Sequence, residues 1–143
     1  MKHQRSELSL RIEHPSCDLA PVCDALGLRP TRIWKKGDER RTPKGTKSGG
    51  TYEKSTCMIV FGPQSRRSFV ARLEAALELM KPHRSILRKV SSSGGSISFS
   101  IAWFCDEHTG ATLASNILEA MTHLRIGLDL HIYAPDRPNG DQA

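Results

Sequence analysis

No stretch of the chain approaches the ~20 consecutive apolar residues that a helical membrane span requires. The first residues, MKHQRSELSLRIEH, lack the apolar core of a secretory leader. Cysteine is scarce: Cys17, Cys23, Cys57 and Cys105 are the four in 143 residues, and no Cys-x2-Cys pair occurs among them. Without an export signal these read as reduced thiols, and a cytoplasmic protein with no membrane association is expected. The sequence also lacks a Gly-x-Ser-x-Gly elbow, a phosphate-binding loop and a Gly-x-Gly-x-x-Gly turn. Six histidines and many serines suggest no defined triad. No catalytic residue is assigned, and a non-catalytic role is expected over an enzyme of undefined reaction class.

What is present is a strongly local charge. The net charge is +6. Between Arg29 and Lys54 nine Lys/Arg face three acids, a surplus of six that equals the charge of the whole chain. Elsewhere bases and acids balance. A localised basic segment carries more functional information than the isoelectric point does.

The periodicity predicts an α+β chain of one domain over residues 7–134. Leu8, Leu10 and Ile12 alternate with polar residues as a half-buried strand. Leu19, Val22, Cys23 and Leu26 have helical spacing after the N-cap candidate Asp18, and Gly27 suits the helix end. A short strand is expected over Thr31 to Lys36. Residues 37–50, with four glycines, a proline and no apolar period, read as a mobile basic loop. A strand follows over Thr51 to Phe61; its apolar run Cys57-Met58-Ile59-Val60-Phe61 suits a central position. Phe69, Leu73, Ala76, Leu77 and Met80 form a helix stripe after Ser68, and Pro82 stops it. His83 to Val90 is open between helix and irregular link. Ile97, Phe99 and Ile101 make a clear alternating strand. A helix from about Thr112 follows, with Gly127 as its expected terminating residue, then a last strand, Leu128 to Tyr133. Residues 1–6 are expected to be flexible and 135–143 disordered.

The first and last thirds share one design of strand, loop, helix, glycine, strand. Two βαβ-like units in one sheet imply a ferredoxin-like α/β sandwich: about five strands, mixed or antiparallel, with two to three helices on one face. The other face would then be open, with Arg11, Trp34, Tyr52, Phe104 and Tyr133 contributing to it. Such a face suits a protein partner or a homodimer.

The string LGLRPTRIWKKGDERR, Leu26 to Arg41, resembles the hallmark of the bacterial domain-of-unknown-function family 4279. The N-terminal Leu-Arg-Ile strand, the mid-chain LELMKPHRSILRKV and the terminal Leu128-Asp129-Leu130-His131-Ile132-Tyr133 extend the likeness over most of Leu8 to Tyr133. A tryptophan expected near Tyr52 is missing, and His131 stands where an acid is commoner. The resemblance implies a small stand-alone bacterial protein with no assigned activity; an immunity-type role is an analogy only.

Two constellations carry potential chemistry. Arg29, Arg32, Lys35, Lys36, Arg40 and Arg41 surround Trp34. An indole among cations can stack a base while its neighbours hold phosphates, so nucleic acid or another polyanion is a candidate ligand; an acidic protein would also fit. A solvated loop beside a packing tryptophan is the plainer alternative. The second constellation is His14 with Cys17 and Cys105 with His108, which follow the first strands of the two units. If those strands ran parallel, two Cys and two His would converge as a zinc-ligand set, with Asp18, Asp106 and Glu107 around it. Unrelated thiols at strand ends are the alternative. Otherwise no cofactor is expected.

Overall fold

The computed structural model describes residues 5–42, 44–105 and 109–134. In chain order the elements are β1 (Arg5–His14), α1 (Ala20–Leu26), β2 (Arg32–Trp34), β3 (Glu39–Arg41), β4 (Lys47–Thr51), β5 (Ser55–Val60), α2 (Phe69–Met80), α3 (Arg84–Ser92), β6 (Ser96–Phe104), α4 (Ser115–His123) and β7 (Gly127–Tyr133). A 3-10 turn at Lys81–His83 joins α2 to α3. Pro82 in this turn cannot donate to a helical ladder, so the α-helical bonding is interrupted there. Five strands form one mixed sheet in the order β2-β5-β1-β6-β7, and β3 and β4 make a separate two-stranded hairpin. This is the expected α+β sandwich. No helix among the described residues is long and apolar enough to cross a membrane.

The period-2 alternation decides which face is buried. Leu8, Leu10 and Ile12 of β1 stand opposite Ile101, Phe99 and Ile97 of β6. Leu10 and Ile12 also face Ile59 and Cys57 of β5. All are buried, together with Cys23 and Leu26 of α1, Leu73, Leu77 and Met80 of α2, Leu87 of α3 and Ile117 and Met121 of α4. Each fully buried aliphatic side chain contributes roughly 1.5–3 kcal/mol of transfer free energy. Phe69 meets Trp103 edge-on, with ring centroids 4.7 Å apart. The odd-numbered residues of β1 point to the other side of the sheet, which carries Arg32, Trp34, Arg11, Phe104 and Tyr133 by register.

The two units exist, but they run in opposite directions. β1 and β2 are both antiparallel to β5, which lies between them. β6 and β7 are adjacent and parallel. Yet β1 is antiparallel to β6. The parallel arrangement of the two leading strands is therefore corrected. The remaining details are local. Arg5 and Ser6, expected to be flexible, open β1. Residues 37–50, read as a mobile basic loop, contain β3 and most of β4. The open stretch after His83 is helical. Ser68 occupies the α2 N-cap without a side-chain bond. Helix α1 ends as expected, with Gly27 at φ 70. Helix α4 does not use Gly127: Arg125 takes the left-handed position at φ 61. Its N–H bonds the Thr122 carbonyl, and the Ile126 N–H bonds that of Met121. The tail expected at 135–143 lies outside the described residues.

Candidate functional site

The basic segment folds into one corner of the open sheet face. β2 is a three-residue edge strand, and its pairing with β5 sets Arg32 opposite Met58 and Trp34 opposite Thr56. Ile33, between them, faces the core side with Cys57. After Trp34 the chain turns at once. The Lys35 N–H bonds Asp38 Oδ2 at 2.9 Å, and the Asp38 N–H bonds the Lys35 carbonyl at 3.0 Å. Gly37 supplies the positive φ of 90 that this turn requires. The Lys36 N–H donates to Ser55 Oγ at 3.0 Å, tying the turn to β5.

The hairpin is then closed at its base. The Gly37 N–H donates to the Tyr52 carbonyl and the Tyr52 N–H to the Asp38 carbonyl, both at 2.9 Å. This clamp brings Tyr52 onto Trp34, with centroids 4.4 Å apart and planes 14° from parallel. Arg32 lies 5.3 Å from the Trp34 centroid and Arg40 lies 5.4 Å from that of Tyr52. With one face of each ring taken by the other ring, the guanidinium groups lie on the outer faces. The result is a column, Arg32–Trp34–Tyr52–Arg40. An offset aromatic pair contributes about 0.5–1.5 kcal/mol beyond its burial, and an exposed cation–π contact about 0.5–1 kcal/mol.

The cations of the segment divide into two groups. Arg41 and Lys47 share Glu39 at 3.6 and 3.7 Å, and Lys54 binds Glu13 at 2.6 Å. Arg41 Nη1 also donates to the Gly45 carbonyl at 3.0 Å. Among the described residues, Arg29, Arg32, Lys35, Lys36, Arg40 and Lys44 have no carboxylate within 4.0 Å. Arg41, one of the expected residues, shares Glu39 with Lys47 inside the hairpin. Tyr52 joins the expected set. Its signal in the sequence was its place among the open-face aromatics.

The sheet register separates Cys105 from His14 and Cys17. β1 is ten residues long, so its ends stand roughly 30 Å apart. Phe104 pairs with Arg5 at one end, while Ser96 pairs with Glu13 at the other. Cys105 therefore leaves the sheet at the end opposite His14 and Cys17. His108, Asp106 and Glu107 lie outside the described residues. No group of three or more potential ligands occurs among the described residues. His14 has a different task. It is buried, and its Nδ1 accepts the N–H groups of Ser16 at 3.1 Å and Cys17 at 2.9 Å. An accepting Nδ1 leaves the proton on Nε2, which lies 3.0 Å from Ser93 Oγ. Ser93 Oγ in turn donates to the Val90 carbonyl at 3.1 Å. The imidazole thus joins the end of β1, the start of the α1 connection and the end of α3.

Cys23 and Cys57 meet inside the core between α1 and β5. The interaction with Cys23, together with burial, pushes the Cys57 thiol above its ordinary range. Cys17 is exposed.

A single mixed sheet, helices packed on one side and a cationic hairpin at the edge of the other define an open-faced α+β sandwich. The chain belongs to the family described as Domain of unknown function (DUF4279), whose model matches residues 3–135. No curated protein and no solved structure matches it.

Proposed function

We propose that the protein is a non-catalytic binding module that takes an anionic partner at the corner built from Arg29, Arg32, Trp34, Lys35, Lys36, Arg40 and Tyr52. The observation that carries this is the arginine–aromatic column, whose two arginines belong with Arg29, Lys35, Lys36 and Lys44 to six cations that lack carboxylate partners among the described residues. Charges left uncompensated on one corner repel one another, and a polyanion relieves that repulsion while releasing its own counterions. The column also offers planar guanidinium groups on rigid rings, surfaces on which a nucleobase stacks.

Fluorescence anisotropy with a labelled single-stranded DNA of about 20 nucleotides tests this. Binding is expected at low salt. If all six cations contact phosphates, the slope of log K against log[salt] is about −4. An Arg32→Ala/Arg40→Ala variant should bind more weakly and with a shallower slope. Polyglutamate serves as a second probe. Equal binding of both probes would favour an acidic protein partner over nucleic acid. Binding of neither at low salt would remove the anionic-partner function.

A further inference from the structure

β7 closes one side of the sheet. It pairs with β6 on its inner side, and among the described residues no strand pairs with its outer edge. Gly127–Tyr133 contains no lysine and no proline, and its pairing with β6 has no bulge. On the helix-bearing face Leu130 is 44% exposed and Ile132 is 60% exposed. Unpaired backbone next to exposed apolar side chains is a template for another strand.

We infer that β7 is a dimerisation edge whose occupant is β7 of a second copy, running antiparallel and joining two sheets into one of ten strands. The register follows from the strand itself. Residues directly opposed in an antiparallel pair point to the same face. A two-fold axis perpendicular to the sheet must therefore pass through a residue, since any half-step sets the apolar face of one copy against the polar face of the other. Centred on Leu130, the axis pairs Leu130 with its own copy and Leu128 with Ile132 of the second chain. It also pairs Asp129 with His131 of the second chain, twice by symmetry. Apolar residues meet apolar ones, and each carboxylate meets an imidazole. Moving the axis one residue either way sets Asp129 against Asp129 or His131 against His131 and shortens the overlap. The match of a carboxylate acceptor with an imidazole N–H donor at both symmetry-related places thus favours both the partner, a second copy, and the register. Asp129 is already oriented on the open face, where Ser98 Oγ donates to its Oδ2 at 3.2 Å. Tyr133 is held by stacking on Phe104 at 4.9 Å, with Arg5 over the Phe104 ring. The edge is braced on that side before any partner arrives. This interface lies at the opposite edge of the sheet from β2, so it is independent of anion binding at the arginine–aromatic corner.

Sedimentation equilibrium of the full chain from about 1 to 300 µM tests this, a range suited to an interface of modest area. Wild type is expected to dimerise within it. His131→Asp sets carboxylate against carboxylate at two symmetry-related places and should weaken the dimer at least ~10-fold. The exchange Asp129→His/His131→Asp restores opposite partners in the same register and should recover most of the loss. Thermal melts of the dilute, monomeric variants check that each still folds. A wild type that stays monomeric throughout would overturn the inference. So would a dimer indifferent to His131→Asp, or one that the exchange fails to restore.

Discussion

Replacing His14 by alanine is the substitution whose outcome the structure specifies most closely. The imidazole makes three polar contacts, at 2.9, 3.0 and 3.1 Å, from a buried position. Two backbone donors, on Ser16 and Cys17, lose their acceptor. Both residues are exposed, so water takes up part of the loss. About 1 kcal/mol for each of the three contacts is the appropriate scale. A cavity where the ring stood adds to this and water at Ser16 and Cys17 offsets a similar amount, leaving a total of about 3 kcal/mol. For a chain of this size that corresponds to a fall in Tm of roughly 10 °C. His14→Asn separates the contributions. Its side-chain oxygen can accept from the same two N–H groups, as Asn does in turns, but it does not reach Ser93. It should cost about half as much. Urea unfolding monitored by circular dichroism gives both values by linear extrapolation. The assignment fails if His14→Ala lies within about 0.5 kcal/mol of wild type, or if His14→Asn is as damaging as His14→Ala. Adding zinc should leave the wild-type midpoint unmoved, because both ring nitrogens are engaged.

Two further outcomes follow from packing. Gly95 joins α3 to β6 where a Cβ would come within 2.7 Å of Val90 Cγ1 and 2.8 Å of the Glu13 and Val90 carbonyl oxygens. Two of those atoms are backbone, so Gly95→Ala must shift the strand and should cost about 1–3 kcal/mol, read from the same urea curves. The thiols should divide by environment. A raised pKa leaves Cys57 protonated in neutral and mildly alkaline solution, and burial shields its partner Cys23. In a disulfide-exchange assay near pH 8, Cys17 should react first, while Cys23 and Cys57 should wait for unfolding. Fast reaction of all four would contradict the packing of α1 on β5.

The sequence pattern disclosed most of the sandwich because alternation and helical spacing report burial directly. Ile97, Phe99 and Ile101 could only be a one-sided strand, and Cys57 to Phe61 suited an inner position, which β5 occupies between β2 and β1. Direction was illegible. Period-2 patterning is the same in parallel and antiparallel strands, so nothing in the residues of β1 and β6 separated convergence of His14 and Cys105 from their placement at opposite ends. The β3–β4 hairpin was hidden for a different reason. All eight of its strand residues are exposed, so it has no apolar period to detect. Arg125 escaped notice because a left-handed residue is sought at glycine, and Gly127 stood two places further on. The cations around Trp34 were visible as a cluster. Their sorting into paired and unpaired groups was not, because it depends on where the hairpin sets Glu39.

The position of β1 bears on how the chain folds. It precedes the other described strands in the chain and is the central strand of the sheet, so neither of its neighbours exists when it is made. Ser9 bonds to the carbonyl of Ser100, 91 residues later. At translation rates of about 5–20 residues per second, that partner arrives roughly 5–20 s after β1. Its other neighbour, β5, arrives about half way through that interval, and until then Leu8, Leu10 and Ile12 have no sheet to enter. Completion of the core depends on long-range pairing, the kind of topology that folds slowly. The strand that anchors the finished protein is also the segment most in need of protection while the protein is being made.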